Sequence, residues 1–81
     1  MTVGQIIESA GISNVTQYKN FLIVLTFDSG EWAFDLYWIH GTDGTTSINT
    51  EELLTEHLSD GGFYGTPGEA IFEAILIAKE H

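Results

Sequence analysis

Residues 20–40 read NFLIVLTFDSGEWAFDLYWIH, in which two runs of β-branched and aromatic residues flank the polar segment Asp28-Ser29-Gly30-Glu31. Two such runs around a short segment with glycine are typical of a β-hairpin. A two-residue turn at Ser29-Gly30 predicts a register that pairs Asp28 with Glu31, Phe27 with Trp32, and Leu25 with Phe34. Because like charges opposite each other are unfavourable, a bulged turn is the alternative.

Side chains alternate between the two faces of a strand, so this register divides the hairpin into two sets of residues. The first set is apolar throughout and predicts a core face that comprises Phe21, Ile23, Leu25, Phe27, Trp32, Phe34, Leu36 and Trp38. Proteins that stack nucleic-acid bases surround exposed aromatic rings with positive charge, whereas the neighbours here are Glu31 and Asp35. We therefore predict that Trp32, Phe34 and Trp38 belong to the core.

The second face of the hairpin mixes apolar and polar residues: Leu22, Val24, Thr26, Ala33, Asp35, Tyr37 and Ile39. Leu22, Tyr37 and Ile39 would form an apolar patch beside Asp35. A sheet with one solvated face alternates more cleanly, and an exposed apolar patch of this kind marks a contact. We expect the N-terminal helix, a second copy of the chain or another protein to cover this patch.

Shorter elements are predicted on both sides of the hairpin. Residues 2–11, TVGQIIESAG, have apolar residues at helical spacing followed by a glycine, which predicts a short N-terminal helix. Residues 12–19, ISNVTQYK, are interpreted as a short edge strand. After the hairpin, Asp43-Gly44 predicts a further turn, and a three-residue loop there would place Ile48 on the same face as Trp38.

A first C-terminal helix is predicted over residues 49–59, NTEELLTEHLS, with Asn49 and Glu52 at the spacing of a capping box. Its predicted inner face comprises Leu53, Leu54, His57 and Leu58, and its outer face is an acidic stripe formed by Glu52, Glu56 and Asp60 with Glu51 beside it. Like charges at i and i+4 destabilise a helix by about 0.2–0.5 kcal/mol per pair. We interpret the stripe as a partner-binding surface, and a merely solvated face is the alternative.

A second C-terminal helix is predicted over residues 66–81, TPGEAIFEAILIAKEH, with Thr66 as N-cap, Pro67 in the first turn and Glu69 completing a capping box. Its wide apolar surface predicts a helix that is buried on more than one side and packs on the core face of the sheet. The predicted fold class is α+β: a short N-terminal helix and an antiparallel sheet of three or four strands packed against two C-terminal helices.

The glycine-rich stretch DGGFYGTPGE, residues 60–69, would join these two helices. It lacks the lysine and the preceding strand of a phosphate-binding loop, and acids at both of its ends would repel a phosphate. We therefore interpret it as a connector in which Phe63 fills the core under the loop. Tyr64 has two possible roles, either packing in the same way or standing out as a contact residue.

Charge is the most unusual property of the chain, whose 12 acids and 2 lysines give a formal net charge of −10. Glu8 and Lys19 are the only charged side chains before Asp28 and their charges cancel, so the net charge comes from residues 28–81. Direct binding to nucleic acid requires a basic face, and anionic membranes require one too. The electrostatic field of such an acidic protein favours a basic protein surface as its partner. The alternative explanation of the acidity is that it serves only solubility.

The 81 residues suffice for a single domain, residues 1–81. The chain has no cysteine, and its longest apolar run, FLIVLTF at residues 21–27, is far too short to cross a membrane. The N-terminus lacks the basic residues of a signal peptide. We expect a cytoplasmic location in a host cell.

Catalytic and metal-binding patterns are weak. His40, His57 and His81 show no pair at a tight ligand spacing, and Ser29 and Ser47 lie at or near turns without a nucleophile elbow. A carboxylate pair of the glycosidase type needs a cleft, for which a small two-layer domain has little room. We predict a non-enzyme that needs no metal and no cofactor.

One resemblance to a known family rests on FYGTPG at residues 63–68, followed by a helix and preceded by the hairpin and the acidic segment NTEEL at residues 49–53. In these features residues 18–75 resemble a family of small phage-encoded anti-CRISPR proteins that inhibit a type I-F surveillance complex. The resemblance implies an antiparallel sheet packed on two helices. It also implies binding to the multi-copy backbone subunit of the complex, which blocks pairing of target DNA with the guide. Because aligning the hairpin turns puts the family's polar contact positions on Phe27 and Trp38, no contact residue is carried over.

The leading hypothesis is a protein–protein inhibitor whose acidic surface occupies a basic, nucleic-acid-binding surface of a defence complex. The residues predicted to bind the partner are Glu51, Glu52, Glu56, Asp60, Tyr64, Asp35 and Tyr37. The alternative is a homodimeric structural or adaptor module whose acidity serves only solubility. A small metal-independent enzyme is a third possibility.

Overall fold

A computed structural model describes residues 1–42 and 50–81 of the chain. The elements, in chain order, are helix α1 (Val3–Ala10), a 3-10 turn (Ile12–Asn14), strands β1 (Val15–Tyr18), β2 (Phe21–Asp28) and β3 (Glu31–Ile39), a second 3-10 turn (Thr50–Glu52), strand β4 (Thr55–Tyr64) and helix α2 (Pro67–Lys79). In these two ranges four antiparallel strands form one sheet in the order β1-β2-β3-β4. The α+β fold class is confirmed, and so is the short edge strand β1.

The central hairpin has the predicted register, in which Asp28 pairs with Glu31 and Leu25 with Phe34. Ser29 and Gly30 form the two-residue turn, and both have positive φ, at 53° and 80°. A type I′ turn requires positive φ at both central positions, and its twist matches that of the strands. The bulged alternative is therefore wrong for this turn.

The predicted core face packs on α2, whose small residues Ala70, Ala74 and Ala78 allow the helix close to the sheet. Phe34 and Leu36 are fully buried there, while Trp32 and Trp38 are partly buried against the same cluster. One residue departs from the prediction, because Phe27 lies one position from the end of β2 and is 58% exposed. Its ring packs against Trp32 with centroids 4.9 Å apart.

The apolar patch on the opposite face is covered by α1, as one of the three predicted alternatives proposes. Val3 and Ile6 of α1 bury Leu22, Val24 and Ile39. The helix begins in a capping box in which the Thr2 side chain accepts from Gln5 N–H. Its N-terminal end is fixed beside β4 by backbone hydrogen bonds from Val3 N–H to Leu53 O at 2.9 Å and from Thr55 N–H to Met1 O at 2.8 Å.

The prediction of a helix over residues 49–59 is wrong. A 3-10 turn at Thr50–Glu52 is followed by β4, which pairs along β3 from Ile39↔Thr55 to Trp32↔Tyr64. The i, i+4 pattern of leucine and glutamate favours a helix locally, but β3 presents an unpaired edge whose hydrogen bonds β4 satisfies. The prediction of two C-terminal helices is therefore also wrong, since residues 50–81 contain one α-helix, α2.

The glycine-rich stretch does not connect two helices, because residues 60–64 form the end of β4 and residues 67–69 begin α2. β4 has a bulge here, because Phe34 pairs with Gly61 while Trp32 pairs with Tyr64. A Cβ at Gly61 would lie 2.8 Å from the Phe34 ring, so only glycine lets this ring pack beside Tyr64. Tyr64 stacks on Phe34 in the core, but the prediction that Phe63 fills the core is wrong, because Phe63 is 87% exposed.

Helix α2 has the predicted N-cap and first turn, with Pro67 in the first turn and the Glu69 N–H donating to Thr66 Oγ1 at 3.2 Å. The reciprocal bond from the Glu69 side chain, which would complete the predicted capping box, is not among the described hydrogen bonds. The prediction that the helix is buried on more than one side is wrong, since Phe72 and Leu76 remain 60% and 41% exposed. Alanines every fourth residue place a single face on the sheet. None of the helices in residues 1–42 and 50–81 has the length and apolar character needed to cross a membrane.

The predictions of a turn at Asp43-Gly44, of Ile48 beside Trp38 and of Asn49 as a helix cap fall in residues 43–49, outside the described residues.

Candidate functional site

Two pairs of carboxylates lie opposite each other on the side of the sheet that carries α1. Asp28 pairs with Glu31 across β2 and β3, and Asp35 pairs with Asp60 across β3 and β4. The alternation of side chains places both pairs on the same side as Val24, which α1 buries. We name these four residues the acidic face. Glu31 and Asp35 are four positions apart on one strand, which separates the two pairs by about 13 Å.

Neither lysine of the chain neutralises the acidic face. In residues 1–42 and 50–81, the ion pairs within 4.0 Å join a histidine to a carboxylate. Lys19 lies in the turn between β1 and β2, at the opposite end of β2 from Asp28, and Lys79 ends α2. The carboxylates near the hairpin turn therefore have no lysine to offset their mutual repulsion.

His57 lies close to the carboxylate pair of Asp35 and Asp60. Its Nε2 is 2.9 Å from Asp35 Oδ1, and its ring meets Tyr37 edge-on with centroids 5.2 Å apart. One potential ligand atom each from Asp35, His57 and Asp60 lie within 4.8 Å of one another. An imidazole and two carboxylates form a donor set that could hold a divalent cation, and they can equally share a proton. His57 and Asp60 are exposed and Asp35 is half-buried, so water reaches this cluster freely.

Tyr37 forms the buried side of the same cluster. Burial raises the pKa of its phenol above the usual value of 10.0, and the neighbouring Asp35 carboxylate raises this pKa further. Both effects oppose ionisation, because the phenolate would be poorly solvated and would lie beside another negative charge. Tyr37 therefore stays neutral at physiological pH and offers a hydroxyl group.

An open groove of about 550 Å³ runs between α1 and the sheet and reaches this cluster. Its lining includes Ile6, Ser9 and Ala10 from the helix, and Val24, Asp35 and Tyr37 from the strands. The lining mixes apolar residues with the polar residues Ser9, Asn14 and Thr26 and contains one carboxylate, Asp35.

The structure brings together three of the seven residues predicted to bind the partner, namely Asp35, Tyr37 and Asp60. The predicted acidic stripe of Glu52, Glu56 and Asp60 is wrong, because these residues do not share a helix. Glu56 pairs with Trp38, which places it on the α2 side of the sheet, and it lies 3.9 Å from His40.

The remaining predicted residues lie elsewhere. Glu51 and Glu52 are exposed in the 3-10 turn beside α1, where Gly4 approaches the Glu51 backbone. Tyr64 is partly buried and packs against the core cluster under α2. His57 was not predicted as a site residue because it was assigned to the inner face of a helix. In the strand, it pairs with Tyr37 and its side chain lies next to Asp35.

The sequence reasoning also missed Asp28 and Glu31 as site residues, although their pairing is a direct result of the predicted hairpin register. Comparisons with protein-family models, curated proteins and solved structures find no match to this chain. The resemblance to the anti-CRISPR family remains a prediction from residues 63–68 and the order of elements.

Proposed function

We propose that this protein is a non-enzymatic inhibitor whose acidic face occupies a basic, nucleic-acid-binding surface of another protein. The observation that carries the proposal is the placement of two directly opposed carboxylate pairs, Asp28 with Glu31 and Asp35 with Asp60, on one side of the sheet. Like charges opposite each other destabilise a sheet. Lysine and arginine side chains of a partner would offset this repulsion. The repulsion that lowers the stability of the free protein therefore favours formation of the complex.

Electrostatic complementarity supports this choice of partner over nucleic acid. A formal net charge of −10 repels DNA, RNA and anionic membranes. The same field accelerates encounter with a basic surface and gives an association rate that falls with salt. Glu51, Glu52 and Glu56 are exposed and add to this long-range field, although they lie outside the acidic face.

The target implied by the anti-CRISPR resemblance is the backbone subunit of a type I-F surveillance complex. A subunit that holds guide RNA and target DNA presents lysine and arginine residues to phosphates. In the proposed mechanism, carboxylates of the acidic face take the place of phosphates on that surface. Target DNA is then excluded by occupancy, and no chemical step is needed.

A homodimeric adaptor is the second candidate function, and one observation favours it. Phe72 and Leu76 lie one turn apart on the outer side of α2 and are both exposed. An apolar strip on a helix can pair with its own copy. Analytical ultracentrifugation separates the candidates, since the inhibitor proposal needs no dimer and the adaptor proposal needs one that Phe72→Glu dissolves.

The inhibitor proposal is tested by a gel-shift assay with a purified type I-F surveillance complex and its target DNA. The test variant neutralises the acidic face through Asp28→Asn, Glu31→Gln, Asp35→Asn and Asp60→Asn. The matched control, called the helix variant, makes the same change in charge within the helices and at the residue after α2, through Glu8→Gln, Glu69→Gln, Glu73→Gln and Glu80→Gln. Circular dichroism first establishes that both variants are folded.

We expect the parent protein and the control variant to prevent the shift of target DNA, and the test variant to lose this effect. Because both variants change the formal net charge equally, a difference between them reports position and not total charge. Failure of the parent protein to prevent the shift contradicts the proposed target, and equal inhibition by the two variants contradicts the role of the acidic face.

A further inference from the structure

A cleft at the hairpin end of the sheet has not been assigned a role. It has a volume of about 290 Å³, and its lining includes Thr26, Asp28, Glu31, Ala33, Gly62 and Phe63. Its floor is flat and small, because Thr26 pairs with Ala33 and a Cβ at Gly62 would lie 3.7 Å from that of Ala33. Such a floor suits a planar or extended side chain that lies along the sheet.

Phe63 forms one wall of the cleft and is held in an unusual way. It is the most exposed of the large apolar residues in residues 1–42 and 50–81, and its φ of 69° is in the left-handed region. A bulky residue is rare with positive φ and is strained there. The bulge in β4 thus directs a phenyl ring into water at a backbone conformation that glycine would adopt without strain.

Carboxylates form the other wall. Asp28 and Glu31 are exposed, lie opposite each other at the turn and have no histidine or lysine within 4.0 Å among the described ion pairs. The Ser29 hydroxyl approaches Asp28 Oδ1 at 3.4 Å, a neutral contact that leaves both charges in place. An aromatic ring on one side and two carboxylates on the other define an environment for a planar cation.

We propose that this cleft receives an arginine side chain of the partner protein, an inference that rests on the proposed function and narrows it to one contact. The guanidinium stacks on the Phe63 ring and donates hydrogen bonds to the carboxylates of Asp28 and Glu31. The methylene groups lie over Thr26 and Ala33. Arginine is preferred to lysine because its planar head combines stacking with several fixed donors, whereas an ammonium group is a more strongly hydrated point charge.

The inference is tested without the partner, by titrating isotope-labelled protein with capped Gly-Arg-Gly tripeptide and following amide shifts by NMR. The matched probes are the tripeptides with lysine and with citrulline, which has the shape of arginine without its charge. We expect saturable shifts at Gly30, Gly62 and Phe63 with the arginine probe. The lysine probe should bind more weakly, and the citrulline probe should not bind.

Two variants locate the contact. Phe63→Gly keeps the backbone conformation while removing the ring, and should weaken binding of the arginine probe by about two- to fivefold, the loss expected for an exposed cation–π contact. The double substitution Asp28→Asn with Glu31→Gln should abolish saturable binding of the arginine probe. The control Phe72→Ala removes an exposed phenylalanine from α2 and should leave binding unchanged.

The inference is overturned if arginine and citrulline probes shift the same amides equally, if no amide of the cleft shifts, or if Phe63→Gly binds as the parent does. This result is independent of the gel-shift assay. Binding of the arginine probe together with failure to block target DNA would contradict the proposed function while supporting the cleft. Blocking of target DNA without binding of the arginine probe would support the proposed function and contradict the role of the cleft.

Discussion

Asp35 and Asp60 face each other directly across β3 and β4, and the ring of His57 lies 2.9 Å from Asp35. The central strand thus carries a carboxylate opposite another carboxylate, with one imidazole beside them. This arrangement is unfavourable for the isolated fold and favourable for contact with cations, and it links the sheet register to the proposed function.

Neutralising one member of the pair should stabilise the fold. We expect Asp60→Asn to raise the free energy of unfolding by about 0.2–1 kcal/mol, the usual size of a cross-strand pair effect. Asp35→Asn should give a smaller gain, because it also replaces the charged hydrogen-bond acceptor of His57 with a neutral, weaker one. Urea denaturation at low salt measures both values. A loss of stability in Asp60→Asn would contradict the repulsion.

The packing of α1 over the sheet gives a second prediction. Ile39 is fully buried beneath this helix, so Ile39→Ala should lower the free energy of unfolding by about 2–5 kcal/mol. The matched control is Leu54→Ala at an exposed leucine, with an expected change within about 0.5 kcal/mol. Thermal unfolding followed by circular dichroism makes the comparison. Equal effects of the two substitutions would argue against the cover by α1.

The environment of Tyr37 gives a prediction about alkaline pH. Absorbance titration should show a tyrosine that ionises above the usual pKa of 10.0, because burial and Asp35 raise the pKa of Tyr37. The folded state holds this proton more tightly than the unfolded state. The associated stability is therefore complete below pH 10.0, the unfolded value, and is lost as the pH rises through the folded pKa.

Replacement of the neighbouring carboxylate separates the two causes of this shift. Asp35→Asn should lower the pKa of Tyr37 only in part, since burial is the larger cause and remains in the variant. A return of the phenol to its usual pKa in Asp35→Asn would show that charge and not burial governs it.

The aromatic residues of the sheet should not bind nucleic acid. Phe34 is fully buried, and Trp32 and Trp38 are partly buried against the cluster under α2. Fluorescence anisotropy with labelled single-stranded DNA at physiological salt should therefore show no binding. Measurable affinity would contradict both the core assignment and the argument from charge.

The central hairpin could be predicted from sequence because its signals agree with one another. Two strongly β-forming runs, a turn that tolerates positive φ at Ser29-Gly30, and the alternation of side chains all specify one register. The same alternation identified the patch that α1 covers. The covering helix could be offered only as one of three alternatives, because the alternation shows that a face is buried and not what buries it.

β4 could not be predicted because its local and tertiary signals conflict. Residues 51–58 contain leucine and glutamate at helical spacing, whereas the strand conformation of residues 55–64 is fixed by pairing with β3, a non-local effect. Phe63 was assigned to the core because its segment was interpreted as a connector between two helices, whereas this segment is the bulged end of β4 and leaves the ring exposed. These errors carried over to the site, since His57 and Asp60 reach Asp35 only when residues 55–64 form a strand.

The central claim is that the acidic face occupies a nucleic-acid-binding surface, and quantitative capture from a lysate of the native host tests it most directly. The bait proteins are the parent, the variant with a neutralised acidic face and the variant with four neutralised helix glutamates, each with and without added double-stranded DNA. We expect the parent and the helix variant to capture a nucleic-acid-binding complex that DNA displaces, and the neutralised acidic face to lose it. Recovery of the parent chain alone, or of the same proteins with all three baits whether or not DNA is added, would contradict the claim.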